Sequence, residues 1–504
     1  MAIATEMRPR DICRGACEQT LTSSKRSVKR GKNMRTHRFF IVSVFLAATL
    51  AAMALAASAA GAQDKNKGQA ATQPSDGWAM AGGNVARTFQ GEDLSIRAQP
   101  ALLWKCEVMT PRERKRAEEW LLRDIVASRQ WITVTCGRPM GPPLHGISIQ
   151  DVIVGLSEKD GTREWMLEQS DMRGSVVAMD GSLLFLGSDG TARAVDCRRG
   201  MSVWQYGKVT ASRRNTSDIL YDAENLYVSM WGGRVAAMSR KDGQVLWRST
   251  GFLSQDDEDE NVRPWLAQHG DKLILADAQA SIIRAMSCAD SREVWTQELP
   301  SVRKTTTERI ETNLGPIAAG TRETKLKSAP TARPCLMGDL VVIAGWYGLG
   351  VNEQPYVMAI HAANGQTAWK TPLGQRTEGL CPALATDGKH VYAVLASGKV
   401  RCLEGQSGKT AWETDLLWKE HPVKGNYSSF AFVGSLAISG DVLLVAGQPG
   451  FLNGLDLATG QKLWNIELPA PLDWNGIAIA GGKFLVLSGG SIMAFGPAQA
   501  GKHQ

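Results

Sequence analysis

The segment AVDCRRGMSVW (194–204) sets a small residue, an aspartate, a four-residue polar turn ending in glycine, and a tryptophan four positions after that glycine. The same frame returns as GLSEKDGTREW to Trp165, AMSRKDGQVLW to Trp247, AMSCADSREVW to Trp295, AIHAANGQTAW to Trp369, CLEGQSGKTAW to Trp412 and GLDLATGQKLW to Trp464. Successive tryptophans stand roughly 40 to 50 residues apart, with a longer gap before Trp369, and that period belongs to propellers and solenoids. The glycine suits a tight hairpin because it reaches positive φ without a Cβ clash. Asp196 and Asp456 are placed to bond the turn amides. The tryptophan offers a flat apolar face that can wedge between neighbouring repeats. Ser291 stands where the other turns have glycine, which predicts a strained hairpin there.

Upstream of each tryptophan lie further alternating apolar runs joined by turn residues. Ser175 to Met179, Leu183 to Gly187 and Ala192 to Val195 give three strands before the tryptophan strand of one unit. Four antiparallel strands per unit is the pattern of a propeller blade. Trp104, in ALLWKCEV, has outer-strand character with no hairpin before it, while 481–495 has three strands and no tryptophan. Joined, the two ends make a composite blade. The expected fold is therefore all-β, an eight-bladed β-propeller of four-stranded antiparallel blades, closed by pairing of N- and C-terminal strands so that no sheet edge stays open.

Two insertions interrupt the repeat. Residues 111–130 begin with proline and place Trp120, Leu121, Ile125 and Val126 near helical spacing, so a short amphipathic helix is expected. Residues 301–328 are polar with scattered apolar positions. Ahead of the propeller, Arg35 and Arg38, the apolar run 39–55 and Ala60-Gly61-Ala62 form a secretory signal over 34–62, with cleavage after Ala62. That leaves 1–33 as an over-called N-terminal extension, 63–75 as linker, 76–496 as the propeller and 497–504 as a tail. Export makes the expected location periplasmic or secreted. No cysteine follows the signal directly to carry a lipid, and no stable membrane span is expected after cleavage.

The formal charge of +7 is concentrated in the first 33 residues and the signal arginines. The mature chain is close to neutral, so no nucleic-acid partner is expected. Seven cysteines remain after processing, an odd number with no CxxC pair, which argues against a zinc site; Cys197 and Cys288 fall inside the repeated frame as inert core thiols. The acidic run 256–260 lacks the spacing of an EF-hand loop and reads as a solvated inter-blade connection. No histidine pair has ligand spacing, and no GxSxG supports a nucleophile elbow. Catalytic and metal-binding residues are accordingly not assigned.

On these motifs, AVDCRRGMSVW above all, together with the opening segment Trp78-Ala79-Met80-Ala81-Gly82-Gly83-Asn84, the chain resembles the family of pyrroloquinoline-quinone-like (PQQ-like) propeller repeats. The resemblance spans about 76–496 and makes Trp104, Trp165, Trp204, Trp247, Trp295, Trp369, Trp412 and Trp464 blade-docking residues. It implies either a quinoprotein dehydrogenase with quinone and calcium at the ring centre, or a cofactor-free envelope propeller such as those of outer-membrane β-barrel assembly. The chain has no vicinal cysteine pair and no evident calcium ligand set, which favours the second. No cofactor is expected, PQQ and calcium being the alternative.

The expected role is that of a monomeric binding or scaffold module for a protein or cell-envelope partner, with polysaccharide binding as a further alternative. Hairpins between second and third strands emerge on one face of every blade, and several tips there carry aromatics. Trp231, Trp346, Tyr347 and Phe451 are the candidate partner surface.

Overall fold

The computed structural model describes residues between 77 and 498, apart from 79–82, 85–88, 109–120, 138–150, 170–175, 182, 189–190, 207–215, 231–233, 250–264, 278–280, 313–314, 327, 349–353, 376–380, 417–433, 448–449 and 471. The signal expected at 34–62, the linker expected at 63–75 and the tip residue Trp231 lie outside the described residues.

Eight antiparallel sheets form the ring. Blades 1 to 7 span 121–169, 176–206, 216–248, 265–298, 328–372, 383–415 and 434–467, each with its strands hydrogen-bonded in chain order. Blade 8 takes three strands from 472–496 and its outermost strand, Ala101–Glu107, from the other end of the chain, where Trp104 pairs with Ala494. The eight-bladed closure expected from the unmatched ends is what the strand order shows.

The core lies between blades, not inside them. One buried cluster joins blades 7, 8 and 1 across the closure, through residues such as Leu444, Phe484 and Ile125. Others join blades 4 and 5, 5 and 6, and 6 and 7. A middle strand such as Val442–Gly447 is therefore buried along its whole length and reads as a continuous apolar run, because both of its faces meet a neighbouring sheet. The outermost strand of a blade, such as Met201–Tyr206, is largely exposed except at Trp204 and Tyr206.

Each tryptophan stands opposite a small residue on the adjoining strand: Gly155 for Trp165, Ala194 for Trp204, Ala237 for Trp247, Ala285 for Trp295, Ala359 for Trp369, Cys402 for Trp412 and Gly454 for Trp464. A β-bulge falls beside this pair in every blade and turns the indole toward the next blade. There the ring lies on the turn glycine: Trp165 on Gly200, Trp204 on Gly243, Trp295 on Gly365, Trp369 on Gly408 and Trp412 on Gly460. These glycines have φ between 66° and 75°, so one residue meets two demands, a left-handed turn and a surface with no Cβ beneath an indole. Ser291 adopts φ of 61° in the same place, the strain its side chain predicted.

The indole N–H completes each joint. It donates to the carbonyl of the first turn residue in the next blade: Trp165 to Cys197 (2.5 Å), Trp204 to Arg240 (3.0 Å), Trp247 to Cys288 (2.8 Å), Trp295 to Ala362 (2.9 Å), Trp369 to Gly405 (2.7 Å) and Trp412 to Leu457 (3.3 Å).

The two joints flanking the composite blade are built otherwise. Its third and fourth strands come from opposite chain ends and no hairpin links them, so Trp464 donates instead to Ile96 (2.8 Å), in the segment that leads into the outer strand. That segment is laced beneath blades 7 and 8 by Gly91 N–H to Ile438 (2.9 Å), Leu94 N–H to Ser439 Oγ (2.9 Å) and an Arg97–Asp456 ion pair (2.8 Å). On the other side Trp104 packs on Gly161, but its N–H has no hydrogen-bond partner among the described residues. The carbonyl that the pattern would offer it, that of Glu158, accepts from Lys483 Nζ (3.1 Å), whose ammonium also pairs with the Glu158 carboxylate.

One expectation is corrected. The helix placed over 111–130 is not formed in its second half: Leu121–Ser128 is an inner strand of blade 1, with the short strand Gly77–Trp78 paired to its inner edge and Ile125 and Val126 buried on its two sides, while 111–120 lies outside the described residues. The apolar pair at 125–126 that suggested a helical stripe is a strand buried on both faces, a pattern periodicity does not separate from a buried helix segment. The insertion at 301–328 is a long two-stranded ribbon, Val302–Thr312 against Gly315–Leu326, standing between blades 4 and 5 as a sheet of its own.

Candidate partner-binding face

Antiparallel order puts first-to-second and third-to-fourth strand connections on one face of the ring, and second-to-third and blade-to-blade connections on the other. On the first face the turns are uniformly short: 129–130, 181–182, 270–271, 338–339, 440–441 and 481–482 join first to second strands, beside the glycine hairpins that receive the tryptophans. The strand ends that bound every long connection, those flanking 138–150, 207–215, 249–264, 299–327 and 416–433, lie on the second face. A scaffold that holds one face constant and varies the other places recognition on the varied one.

The candidate aromatics lie at the rim of this second face. Trp346 and Tyr347 end the second strand of blade 5, Leu340–Tyr347, and both are half-buried. Successive strand residues face opposite sides of a sheet, so the two serve different crevices. Tyr347 turns toward blade 4, 5.8 Å from the Tyr356 ring, with its hydroxyl donating to Gln354 Oε1 (2.6 Å) and Lys370 Nζ 5.3 Å from its ring centre. Trp346 stands opposite Ala329 and Pro355. Phe451, half-buried two blades on, stands opposite Gly447 and Glu467 at the equivalent hairpin. The three share a face, two of them on blade 5 and one on blade 7.

Beside Tyr347 a groove of about 350 Å³ opens between the outer strand of blade 4 and blade 5, lined by Gln297, Glu298, Pro300, Ser301, Lys370 and Tyr347. It lies at the root of the ribbon, which begins at Val302 and hands on to Ser328–Pro330, the short strand paired with Gly345, Trp346 and Tyr347. Sequence reasoning found the aromatic pair and missed this junction, because the groove joins residues of two blades.

A larger groove, of about 450 Å³, lies on the docking face between blades 2 and 3. Of its lining residues, Arg240 is committed to structure: it pairs with Asp180, donates to the carbonyls of Asp222 and Ala223, and stacks over Tyr221 (4.7 Å) and Phe185 (5.6 Å).

The ring axis carries a buried charge cluster. Arg333, between the two short inner strands of blade 5, reaches Asp124 on the inner strand Leu121–Ser128 of blade 1 (4.0 Å) and Asp218 on the innermost strand of blade 3 (3.9 Å). Inner strands of alternate blades meet in this way only across the axis. The Arg333, Asp124 and Asp218 side chains are 10%, 12% and 2% exposed. Asp218 Oδ2 also accepts from Leu266 N–H of blade 4 (2.9 Å), so blades 1, 3, 4 and 5 are tied together at the centre. A resident calcium would take six to eight oxygens. Here the two axial carboxylates are set against a guanidinium, and among the described residues no three His, Cys, Asp or Glu side chains converge as a metal site.

Cys106, Cys136, Cys197, Cys288, Cys335, Cys381 and Cys402 are free thiols. Burial pushes Cys197, Cys335 and Cys402 up to about 12 and Cys288 to about 11, which removes the thiolate that reactive cysteines need and fits their reading as core residues. His390 Nδ1 lies 3.0 Å from Asp387 Oδ2 and His269 Nε2 3.6 Å from Asp339 Oδ1, both at docking-face turns.

Comparison with known proteins gives one family. A family model described as outer membrane protein assembly factor BamB matches residues 101–318 and 279–482. Similar curated proteins include the outer membrane protein assembly factor BamB of Burkholderia pseudomallei, 21% identical over 58% of this chain and 64% of its own length, so that this chain matches just under two thirds of that relative. The protein of the same description from Xanthomonas campestris is 25% identical over 29% of this chain and 34% of its own. Among solved structures, BamB from Moraxella catarrhalis superposes with a TM-score of 0.52 at 14% identity, covering 81% of this chain and all of that one. A computationally designed protein, Ika8, gives 0.54 at 13% identity over 79% and 99%. A europium-containing methanol dehydrogenase gives 0.50 at 13% over 80% and 87%. At such identities the structural matches show the propeller fold alone.

Proposed function

We propose, starting from the fact that this chain belongs to the PQQ-like repeat family described as outer membrane protein assembly factor BamB, that it is a non-catalytic propeller of the cell envelope that binds a protein partner. The observation that carries this reading is that the strand ends bounding every long connection lie on one face, with Tyr347 and the groove beside it at the rim. In this reading the docking face is structural and the other recognises. Tyrosine and tryptophan suit such a rim because they bring large contact area with few rotatable bonds. Export through the signal at 34–62 places the molecule in the periplasm or outside the cell, and no resident quinone or calcium takes part.

The deciding experiment is the double variant Trp346→Ala with Tyr347→Ala in the full chain, with partner capture from cross-linked envelopes compared with wild type. Loss of specific partners at an unchanged melting temperature is the expected result. Partner capture that survives the double variant would overturn this placement of the site, and unfolding would identify the pair as core. Titration of the purified protein with quinone and calcium is the companion measurement: saturable binding with dye reduction by alcohols or aldoses would overturn the non-catalytic reading.

A further inference from the structure

The ribbon at 302–326 is the largest element of the described structure that no blade absorbs. Its strands, Val302–Thr312 and Gly315–Leu326, pair only with each other, so both outer edges run unpaired among the described residues. An isolated two-stranded ribbon is marginal in water, and an unpaired edge of that length is a template for another strand. The outermost strand of a blade also has a free edge, but it is anchored in a sheet of at least four strands.

Its charge pattern selects what can pair. From 302 to 327 there are six basic residues, Arg303, Lys304, Arg309, Arg322, Lys325 and Lys327, against the three acids Glu308, Glu311 and Glu323. The register sets position 303 opposite position 325, so two basic positions share one rung of a ribbon whose sequence is net basic. Carboxylates on an added strand would complement that charge. A second copy of the ribbon would add the same charge instead.

We propose that this ribbon is a docking strand for an extended, net acidic segment of a partner polypeptide, which adds to its edge by backbone hydrogen bonding and runs toward the groove at Tyr347. Main-chain pairing gives such complexes affinity, and side-chain charge gives selectivity. The inference rests on the binding-module reading and names the partner chemistry for it.

The test uses the full chain and a fluorescein-labelled twelve-residue peptide of alternating threonine and glutamate, with a threonine–lysine peptide for comparison. Fluorescence polarisation is expected to show saturable binding of the acidic peptide, at least tenfold tighter than the basic one. Replacing 303–325 by a short glycine–serine linker should lose that binding at an unchanged melting temperature. The variant R303E/K304E/R322E/K325E should reverse the preference toward the lysine peptide. Hydrogen exchange should locate peptide-induced protection in the ribbon amides. Binding that survives ribbon deletion, with protection elsewhere on the long-loop face, overturns this inference and leaves the binding-module reading standing. Absence of acidic-peptide binding, a ribbon-dependent dimer in sedimentation, or ribbon-dependent binding to phosphatidylglycerol vesicles in place of the peptide overturns it as well.

Discussion

The two faces of this ring follow opposite rules. On the docking face, residues far apart in sequence repeat one geometry: a glycine at positive φ, an indole lying on it, and an indole N–H bonded to the next blade's turn. On the opposite face the connections vary widely in length, from the two-residue link at Gly489-Gly490 to the ribbon within 299–327. The difference follows from where cohesion is needed. A blade cannot bury its own faces, so each must carry the same adhesive on the same side, and variation is permitted only where no joint is made.

The largest effect is therefore expected from breaking a joint. Trp295→Ala removes an 8% exposed indole and its 2.9 Å hydrogen bond to Ala362, and should cost about 3 to 5 kcal/mol in denaturant titration. Truncation of Trp346, a half-buried aromatic of the other face, should cost much less. Equal losses would mean that both faces are structural. Next in size is the axis. Arg333→Met leaves Asp124 and Asp218 buried without their cation, and breaking a buried pair in this way costs about 3 kcal/mol or more. If stability instead stays the same or rises, the cluster is not holding blades 1, 3 and 5 together.

A finer comparison lies within the docking face. Gly365→Ala forces a side chain into φ of 75° and brings its Cβ to 2.7 Å from Trp295, so a loss of about 1 to 3 kcal/mol is expected. Ser291, already at φ of 61°, tests the same rule in reverse: Ser291→Gly should stabilise by about 0.5 to 1 kcal/mol. Chemical denaturation of the pair measures both. A destabilising Ser291→Gly would show that the serine is held there by contacts worth more than its backbone strain.

Much of the docking face was legible in the sequence, because its physics is local and repeated. Gly200, four places before Trp204, announces its turn, and Trp104 with the unmatched strands of 481–495 announces the closure. Which carbonyl each indole would meet was not legible, since Trp295 and Ala362 belong to different blades and the ribbon lies between them. The substitute acceptor Ile96 and the Lys483–Glu158 replacement at Trp104 were hidden for the same reason. Nothing in the sequence near Arg333 points to Asp124 and Asp218, which approach it only because the ring closes. The helix expected at 111–130 failed where Ile125 and Val126 proved to be buried on both sides of a strand.

The smallest effect expected is a selective one. Several docking-turn carboxylates are held below their usual range by the turn itself: Asp160 by the Thr162 amide, Asp242 by Ser239 and the Gln244 amide, and Asp290 by Ser287 and the Arg292 amide. A carboxylate whose folded-state value is depressed stabilises the fold above its unfolded value of 3.8 and loses that contribution as pH falls through the lower folded value. Acid should therefore loosen the docking turns first. The amides of Thr162, Gln244 and Arg292, which bond these carboxylates at 3.0 to 3.2 Å, should lose exchange protection as pH falls below about 4, after correction for intrinsic rates. Amides on the long-loop face have no such carboxylate turns among the described residues and should keep theirs. Uniform loss over both faces would mean that acid unfolds the ring as a whole before its adhesive side yields.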